Sequence, residues 1–529
     1  MKESSTTGLV VPDKPFFDGY SSWRKYQRQA VGKIVNANNK FVVLDAPTGA
    51  GKSIVAMSIA KLTGGRAYYL VGTIDLQEQL LRDFPFLAIL KGRNNFKCLL
   101  KNVSCDQCMY SYIKKPCPEK ENCPYYIHKE KAKESRFVIW NYPMFLTNQT
   151  FVGDFPPADL LICDEAHLLE SALMGFVNVR FDHDFFNDYG LGFPGKDDEK
   201  YVLDRINEVE KVINTRYSTL SGRLQMRLYE DEEPERIELQ KCHELEGRLK
   251  KLHFFKKLYN KDTWVMDYKK QYDWSDDSIS FKPLKVDWCS DYIFSWAKKT
   301  LLMSATMPHT SIVCNSLGIS PSTLVRLDIP STFKKENRAV IYKPIGRMSR
   351  PYWEDTIEKV VRFISEYCKA HKEKILVHCT NYKIAGVLMD ASSMSPDYTL
   401  YFHETADERS YALSQFKEAE APAMLVSPSM ETGVDLPDDM CRVQFIIKVP
   451  YLSLGDKQVK ERLAIDKDWY ISSTINRLVQ ASGRIVRSED DWGKTYIFDE
   501  CFADLIRYYK EFFPKWFLES VAVERRSGQ

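Results

Sequence analysis

Nowhere does this chain of 529 residues carry eighteen uninterrupted apolar residues, which excludes a simple membrane-spanning helix. Its opening residues, Met1 to Gly8, are polar and lack the apolar centre of a secretion signal, so the expected location is intracellular: cytoplasm or nucleoid, or nucleus in a eukaryote. Low-complexity tracts are missing as well. With 44% apolar and 28% charged residues, the expectation is a soluble, folded protein of roughly three to four domains. Charge of one sign is also lacking, since 74 Lys and Arg stand against 72 Asp and Glu, a net of +2. A large basic excess is therefore not available to attract a polyanion, and any such surface must be local.

Lys91 to Arg136 is such a place, with eleven basic against five acidic residues and with Phe96, Tyr110, Tyr112, Tyr125 and Tyr126 between them. Basic residues interleaved with aromatics suit a groove that follows phosphates and stacks bases. A solvated helical hairpin with aromatic core residues is the plainer explanation of the same composition. Thirteen cysteines in a reducing compartment argue against a disulfide framework. Five of them, Cys98, Cys105, Cys108, Cys117 and Cys123, fall within twenty-six residues, which points to a metal-bound insertion. The remaining eight are scattered and suit buried thiols.

Short apolar runs predict strands at Phe41–Asp45, Tyr68–Val71, Phe137–Trp140, Leu160–Cys163 and Leu301–Met303. Each stops at a polar residue, the pattern of a parallel α/β sheet with its site along the C-terminal edge. The same grammar restarts at Ala339–Tyr342, Ile375–His378, Ala423–Val426 and Val443–Ile447, which implies a second α/β domain from about residue 335. Between the sheets, about 183 to 283, long charged patterns such as Glu235 to Leu258 predict a helical insertion.

The chemistry concentrates at strand ends. Ala46-Pro47-Thr48-Gly49-Ala50-Gly51-Lys52-Ser53 follows a strand and opens a helix, as a phosphate-binding loop does. Its backbone N–H groups would face phosphate oxygens, Lys52 would reach the β- and γ-phosphates, and Ser53 would hold magnesium. Asp164-Glu165-Ala166-His167 ends a buried strand, with Asp164 expected on the metal side and Glu165 as the base for the attacking water. Helix capping explains Asp164 alone, not the run. Arg484 and Arg487, in Gln480-Ala481-Ser482-Gly483-Arg484-Ile485-Val486-Arg487, are three apart and expected on one helix face, where they would stabilise charge on the γ-phosphate. Surface ion pairs are the rival use. Ser304-Ala305-Thr306 and Glu431-Thr432-Gly433-Val434-Asp435 would couple nucleotide state to strand movement.

Taken together these motifs resemble the superfamily two helicases, specifically the XPD/DinG-type iron-sulfur branch. The resemblance runs from Arg24-Lys25-Tyr26-Gln27, similar to the family's adenine-side motif, to Tyr496-Ile497-Phe498-Asp499, and its most specific part is Lys91 to Cys98, Cys105-Asp106-Gln107-Cys108 and Cys123-Pro124-Tyr125-Tyr126. It implies an α/β fold of two RecA-like parallel-sheet motor domains, with an iron-sulfur insertion and a helical arch insertion in the first. The implied divisions are 1–92, 135–182 and 284–334 for the first motor domain, 93–134 for the iron-sulfur insertion, 183–283 for the arch and 335–529 for the second motor domain. It also implies ATP and Mg2+, with Arg24, Gln27, Thr48, Gly49, Ala50, Gly51, Lys52, Ser53, Asp435 and Gln480 around the nucleotide, and a [4Fe-4S] cluster on Cys98, Cys105, Cys108 and Cys123. Cys117 in place of Cys105 is the second choice, and zinc is compatible with the same thiolates. The implied activity is 5′ to 3′ movement on single-stranded DNA with unwinding at duplex junctions, by a monomeric motor without a membrane partner. A translocase that remodels protein–DNA complexes and an ATP-switched nucleic-acid-binding redox sensor are the alternatives. Thr73, Thr380 and Thr432 occupy strand-end positions suited to DNA phosphates.

Overall fold

The computed structural model describes residues 9–100, 103–108, 110, 116–229, 236–270, 277–390, 397–405, 407–428 and 436–524. Its first sheet is begun by β1 (Phe41–Asp45), β2 (Ala67–Val71), β3 (Ala88–Ile89), β4 (Phe137–Asn141) and β5 (Ala158–Asp164). After β5 the chain leaves for β6 (Val179–Asp182), β7 (Trp264–Lys269) and β8 (Ser278–Pro283), then returns with β9 (Ala297–Ser304) and β10 (Leu324–Asp328). The second sheet takes β11 (Arg338–Gly346), β12 (Lys374–His378), β13 (Thr399–Phe402), β14 (Ala423–Ser427), β15 (Val443–Ile446), β16 (Gly493–Asp499) and β17 (Val521–Val523).

Both large sheets have seven strands, in the orders β10-β1-β9-β5-β2-β4-β3 and β13-β14-β12-β15-β16-β11-β17, and their pairings are parallel. Every residue of β1 and β2 is buried, as expected of strands covered on both faces. These are two RecA-like domains. In the first, register pairs Asp45 with Ser304 and Asp164 with Met303, so the polar ends of β1, β5 and β9 form one edge.

The insertion between β5 and β9 is built from the helices Glu199–Tyr229 and Arg236–Leu258 and from an antiparallel sheet of order β6-β8-β7. The expectation of a helical insertion thus holds for the hairpin and omits the sheet at its base. Leu239, Leu245, Leu249, Leu252 and Phe255 are buried in one continuous core with Tyr68, Trp140 and Leu161 of the first domain. The arch is therefore anchored through apolar contact, which makes it an extension of the first sheet rather than a tethered appendage. On the opposite face of that sheet pack the helices Gln27–Val35 and Lys52–Thr63, through Val31, Ile34, Val55 and Ile59.

Candidate nucleotide and cysteine sites

The loop from Ala46 to Gly51 joins β1 to the helix Lys52–Thr63. Gly49 and Gly51 have φ of +80° and +73°, a region that side chains with a Cβ enter at a cost of about 1–2 kcal/mol. Two residues upstream hold the loop from behind. Arg24 Nη1 donates to the Gly49 carbonyl at 2.9 Å, and Gln27 Nε2 donates to the Ala50 carbonyl at 2.9 Å while its Oε1 accepts from the Arg24 amide. These bonds engage the Gly49 and Ala50 carbonyls, and the Ala50 amide closes the loop on the Pro47 carbonyl. Beside them Val10, Val11, Arg24, Tyr26, Arg28 and Gln29 line an open cavity of about 510 Å³. Thr48 is half-buried at the centre of the loop.

Asp164 ends β5, buried, and its neighbours fix its orientation. The Tyr69 hydroxyl donates to Oδ2 at 2.9 Å, and the Glu165 amide donates to Oδ1 at 2.9 Å. Tyr69 also hydrogen-bonds Ser53, so Ser53 and Asp164 share one buried partner. Burial, and then the Glu165 charge, push the Asp164 carboxyl up to about 6, against the opposing pull of Lys52. Glu165, just past the end of β5, takes a left-handed φ of +48°. Burial pushes that carboxyl up, but hydrogen bonds from His167 and Ser304 and the Lys52 charge outweigh it and hold Glu165 well below the usual carboxylate range. Lys52, Ser53, Asp164 and Glu165 are thus one electrostatic unit.

From this unit a hydrogen-bonded chain crosses to the second domain. Ser304 Oγ donates to Glu165 Oε2 at 3.0 Å and lies 2.8 Å from His167 Nδ1. The other ring nitrogen, His167 Nε2, meets Gln480 Nε2, which also donates to Thr306 Oγ1 at 3.1 Å. Ser304 and Thr306 therefore sit between the carboxylates and the second domain.

One expectation needs correction. Arg484 and Arg487 do not lie on a helix face: the helix Lys467–Ser482 ends at Gly483, whose amide closes the last turn on Val479 and Gln480. Ile485 and Val486 then turn into the second domain's core, which draws the chain off the helix axis. The Arg484 carbonyl accepts from Leu436, its charge acts on His378 at the end of β12, and the Arg487 amide is held by Asp491 at 3.0 Å. Gln480 of this segment meets His167 and Thr306 of the first domain. Asp435 and Thr432 lie outside the described residues. Thr380 follows β12 by two residues, with φ +63° and a buried hydroxyl, and Thr73 caps the helix Ile74–Asp83 by accepting from Leu76.

Tyr69 and Phe333 were not singled out by sequence reasoning. The first left a signal, because a tyrosine in a strand buried on both faces needs a partner for its hydroxyl. The second left none: Phe333, between the domains, packs its ring against Gly49 while sharing the core of Leu376, Phe416 and Ile485.

In the cysteine-rich segment, Cys98, Cys105, Cys108, Cys117 and Cys123 all line one small cavity of about 30 Å³, with Arg93, Tyr125 and Tyr126. Two backbone bonds draw the first two together, the Cys98 amide bonding Val103 and the Cys105 amide bonding Phe96, each at 2.8 Å. Cys123 occupies the N-cap position of the helix Pro124–Glu134. Burial, and then Cys123 and the other neighbouring thiols, push the Cys105 thiol up to about 12. A thiol raised in this way ionises beside its neighbours only when a cation neutralises the charge. Five thiols around one cavity are the donor chemistry of a metal centre, and Cys117 is not set apart from the other four. Among the described residues, no group of three or more His, Cys, Asp or Glu has the geometry to hold a single ion. None of the thirteen cysteines is in a disulfide among the described residues.

Two family models match the chain: a helicase C-terminal domain over residues 364–520, and the res subunit of type III restriction enzymes over residues 20–193. A probable ATP-dependent helicase of Methanocaldococcus jannaschii is 22% identical, over 92% of this chain and 93% of that protein. The ATP-dependent DNA helicase YoaA of Haemophilus influenzae is 20% identical, over 92% of this chain and 91% of that one. The 3′-5′ exonuclease DinG of Staphylococcus saprophyticus is 24% identical over 36% of this chain, a match that spans only 22% of that protein. Among solved structures, an XPD helicase superposes with a TM-score of 0.61 at 16% identity, covering 95% of this chain and 99% of that one. The S. tokodaii Xpd4 structure superposes at 0.57 and 13%, covering 95% and 100%.

Proposed function

Because the chain belongs to the XPD/DinG-type helicases of superfamily two and is an ATP-dependent helicase, we propose that it moves 5′ to 3′ along single-stranded DNA and separates duplex at the cysteine-rich and arch insertions. The observation that carries this reading is the bond of Gln480 to His167 and Thr306 across the two domains. ATP would lie on the loop 46–53, with its base toward Arg24 and Gln27 and its phosphates toward Lys52. Ser53 and Asp164 would hold a magnesium ion, which when bound supplies charge neutralisation at the phosphate oxygens. Glu165, kept ionised by Lys52 and His167, accepts the proton of the attacking water. Arg484 and Arg487 approach the γ-phosphate only when the cleft closes, so hydrolysis requires the second domain. Loss of that phosphate removes the anion that Glu165 and Lys52 face, and the change passes through Ser304 and His167 to Gln480. The grip of the two domains on the strand thereby alternates.

Cys98, Cys105, Cys108 and Cys123 would hold a [4Fe-4S] cluster, which when bound cross-links a segment too short to build a core of its own. Its position on the basic and aromatic stretch 91–136 supports a role beside the path of the strand. The test is unwinding of substrates that carry a 5′ or a 3′ single-stranded tail, with ATP hydrolysis measured with and without single-stranded DNA. Preference for the 5′ tail and DNA-stimulated hydrolysis are expected. Preference for the 3′ tail overturns the polarity, and hydrolysis indifferent to DNA overturns the motor reading.

A further inference from the structure

The second domain touches the catalytic segment at a second place, where Trp469 of the helix Lys467–Ser482 joins a buried ion pair made from a neighbouring helix. Glu170 stands in the first turn of the helix Leu169–Val177, three residues after His167. Its Oε1 pairs with Nη2 of Arg462, from the second-domain helix Lys457–Ile465. Its Oε2 accepts from Trp469 Nε1 at 2.9 Å, and the Arg462 guanidinium lies 3.9 Å from the centre of the Trp469 ring. Arg462 is 1% exposed. Its Nη2 also lies 3.4 Å from Ser316 Oγ in the first domain.

Trp469 and Gln480 belong to the same helix, eleven residues or roughly 16 Å apart. Four consecutive residues after the catalytic carboxylates, His167 to Glu170, therefore receive both ends of one second-domain helix. A buried Arg–Glu pair is a poor source of stability, because desolvation offsets its attraction, and its best-attested use is to fix register. Next to it, Lys282 bonds Asp456 at 2.8 Å and Gln458 bonds the Pro283 carbonyl, which ties the same second-domain segment to the base of the arch.

We propose that Arg462, with Trp469, is a positioning residue for ATP hydrolysis: by holding Glu170 it sets the register between the helix Lys467–Ser482 and the Asp164–His167 segment, so that Gln480 meets His167. This rests on the reading of the nucleotide site given above. It assigns Arg462 no contact with ATP, so the affinity set by Arg24, Gln27 and the loop should not depend on it.

The test measures kcat and KM for ATP with saturating single-stranded DNA, well below the melting temperature, for Arg462→Met, Gln480→Ala and the double variant. Arg462→Met should lower kcat about 10-fold or more, the size of an ordinary coupling effect, with KM for ATP within about 2-fold of wild type. On a Gln480→Ala background it should lower kcat by less than about 2-fold more, because both changes break the same link. Trp469→Phe keeps the ring under the guanidinium and loses only the N–H. If Arg462→Met does not fold, Trp469→Phe serves in its place, with a loss of about 3-fold that again disappears on the Gln480→Ala background. Wild-type kcat in Arg462→Met, or equal losses in both backgrounds, overturns the proposal as a merely structural pair would. Wild-type kcat in Gln480→Ala alone overturns the site reading and this inference with it.

Discussion

Replacing Gly49 with alanine tests whether the phosphate loop and the second domain share one mechanical contact. Gly49 has φ +80°, and an ideal Cβ there would lie 2.2 Å from Cζ of Phe333 and 2.7 Å from its Cε1. Ordinary contact begins near 3.4 Å, so the ring must withdraw by more than 1 Å. It is 7% exposed and packed with Leu376, Phe416 and Ile485, so withdrawal means repacking the second domain. The left-handed backbone costs about 1–2 kcal/mol and the overpacking about 1–3 kcal/mol, together about 2–5 kcal/mol. Borne by the loop, the lower end of that range weakens binding of a fluorescent ATP analogue about 30-fold. Phe333→Leu in the Gly49→Ala background removes the steric share and not the backbone share, so about 1–3 kcal/mol of affinity should return. Unchanged affinity in Gly49→Ala, or no recovery with Phe333→Leu, refutes the contact as a constraint on the loop.

Other outcomes follow from single groups. Burial, and then the Arg484 charge, push His378 down to about 4, so the folded protein keeps it neutral while the unfolded chain protonates it below about 6.5. Stability is therefore lost as pH falls through that window, by about 2 kcal/mol between pH 7 and pH 5, and His378→Gln should flatten that slope in urea unfolding. Glu165→Gln should keep binding of the ATP analogue and lower kcat by about 10²–10⁴-fold, as expected for loss of a general base. For the cysteines, iron and sulfide analysis after purification without oxygen should show loss of the cluster in Cys123→Ser and retention in Cys117→Ser. Zinc in place of iron in the wild-type protein would remove the cluster assignment.

What the sequence made legible was whatever depends on neighbours in the chain. The central strands were readable because parallel strands buried on both faces are unbroken apolar runs, as at Phe41–Asp45 and Ala423–Ser427. Leu324–Asp328, with Arg326 in its middle, and Thr399–Phe402, half exposed, lie at sheet edges and lack that signature. The sheet under the arch escaped for a related reason: Trp264–Lys269 and Ser278–Pro283 mix polar and apolar residues between much longer helical patterns.

Within the site, the loop 46–53 and Asp164-Glu165 announced themselves through spacing. The helical placement of Arg484 and Arg487 failed because Gly483 ends the helix and the buried Ile485 and Val486 redirect the chain. The link from Gln480 to His167 spans 313 residues and that from Arg462 to Glu170 nearly as many, separations at which no local periodicity carries information. Phe333 against Gly49 is of the same kind.

In the proposed function one composite site has Lys52 and Glu165 on one wall and the turn carrying Arg484 and Arg487 on the other. The most direct measurement is kcat for ATP hydrolysis with saturating single-stranded DNA in Arg487→Ala, beside the affinity of the same variant for the ATP analogue. A loss in kcat of about 10³-fold or more with affinity preserved is expected, the effect of removing an arginine that acts on the transition state. Wild-type turnover in Arg487→Ala would contradict it.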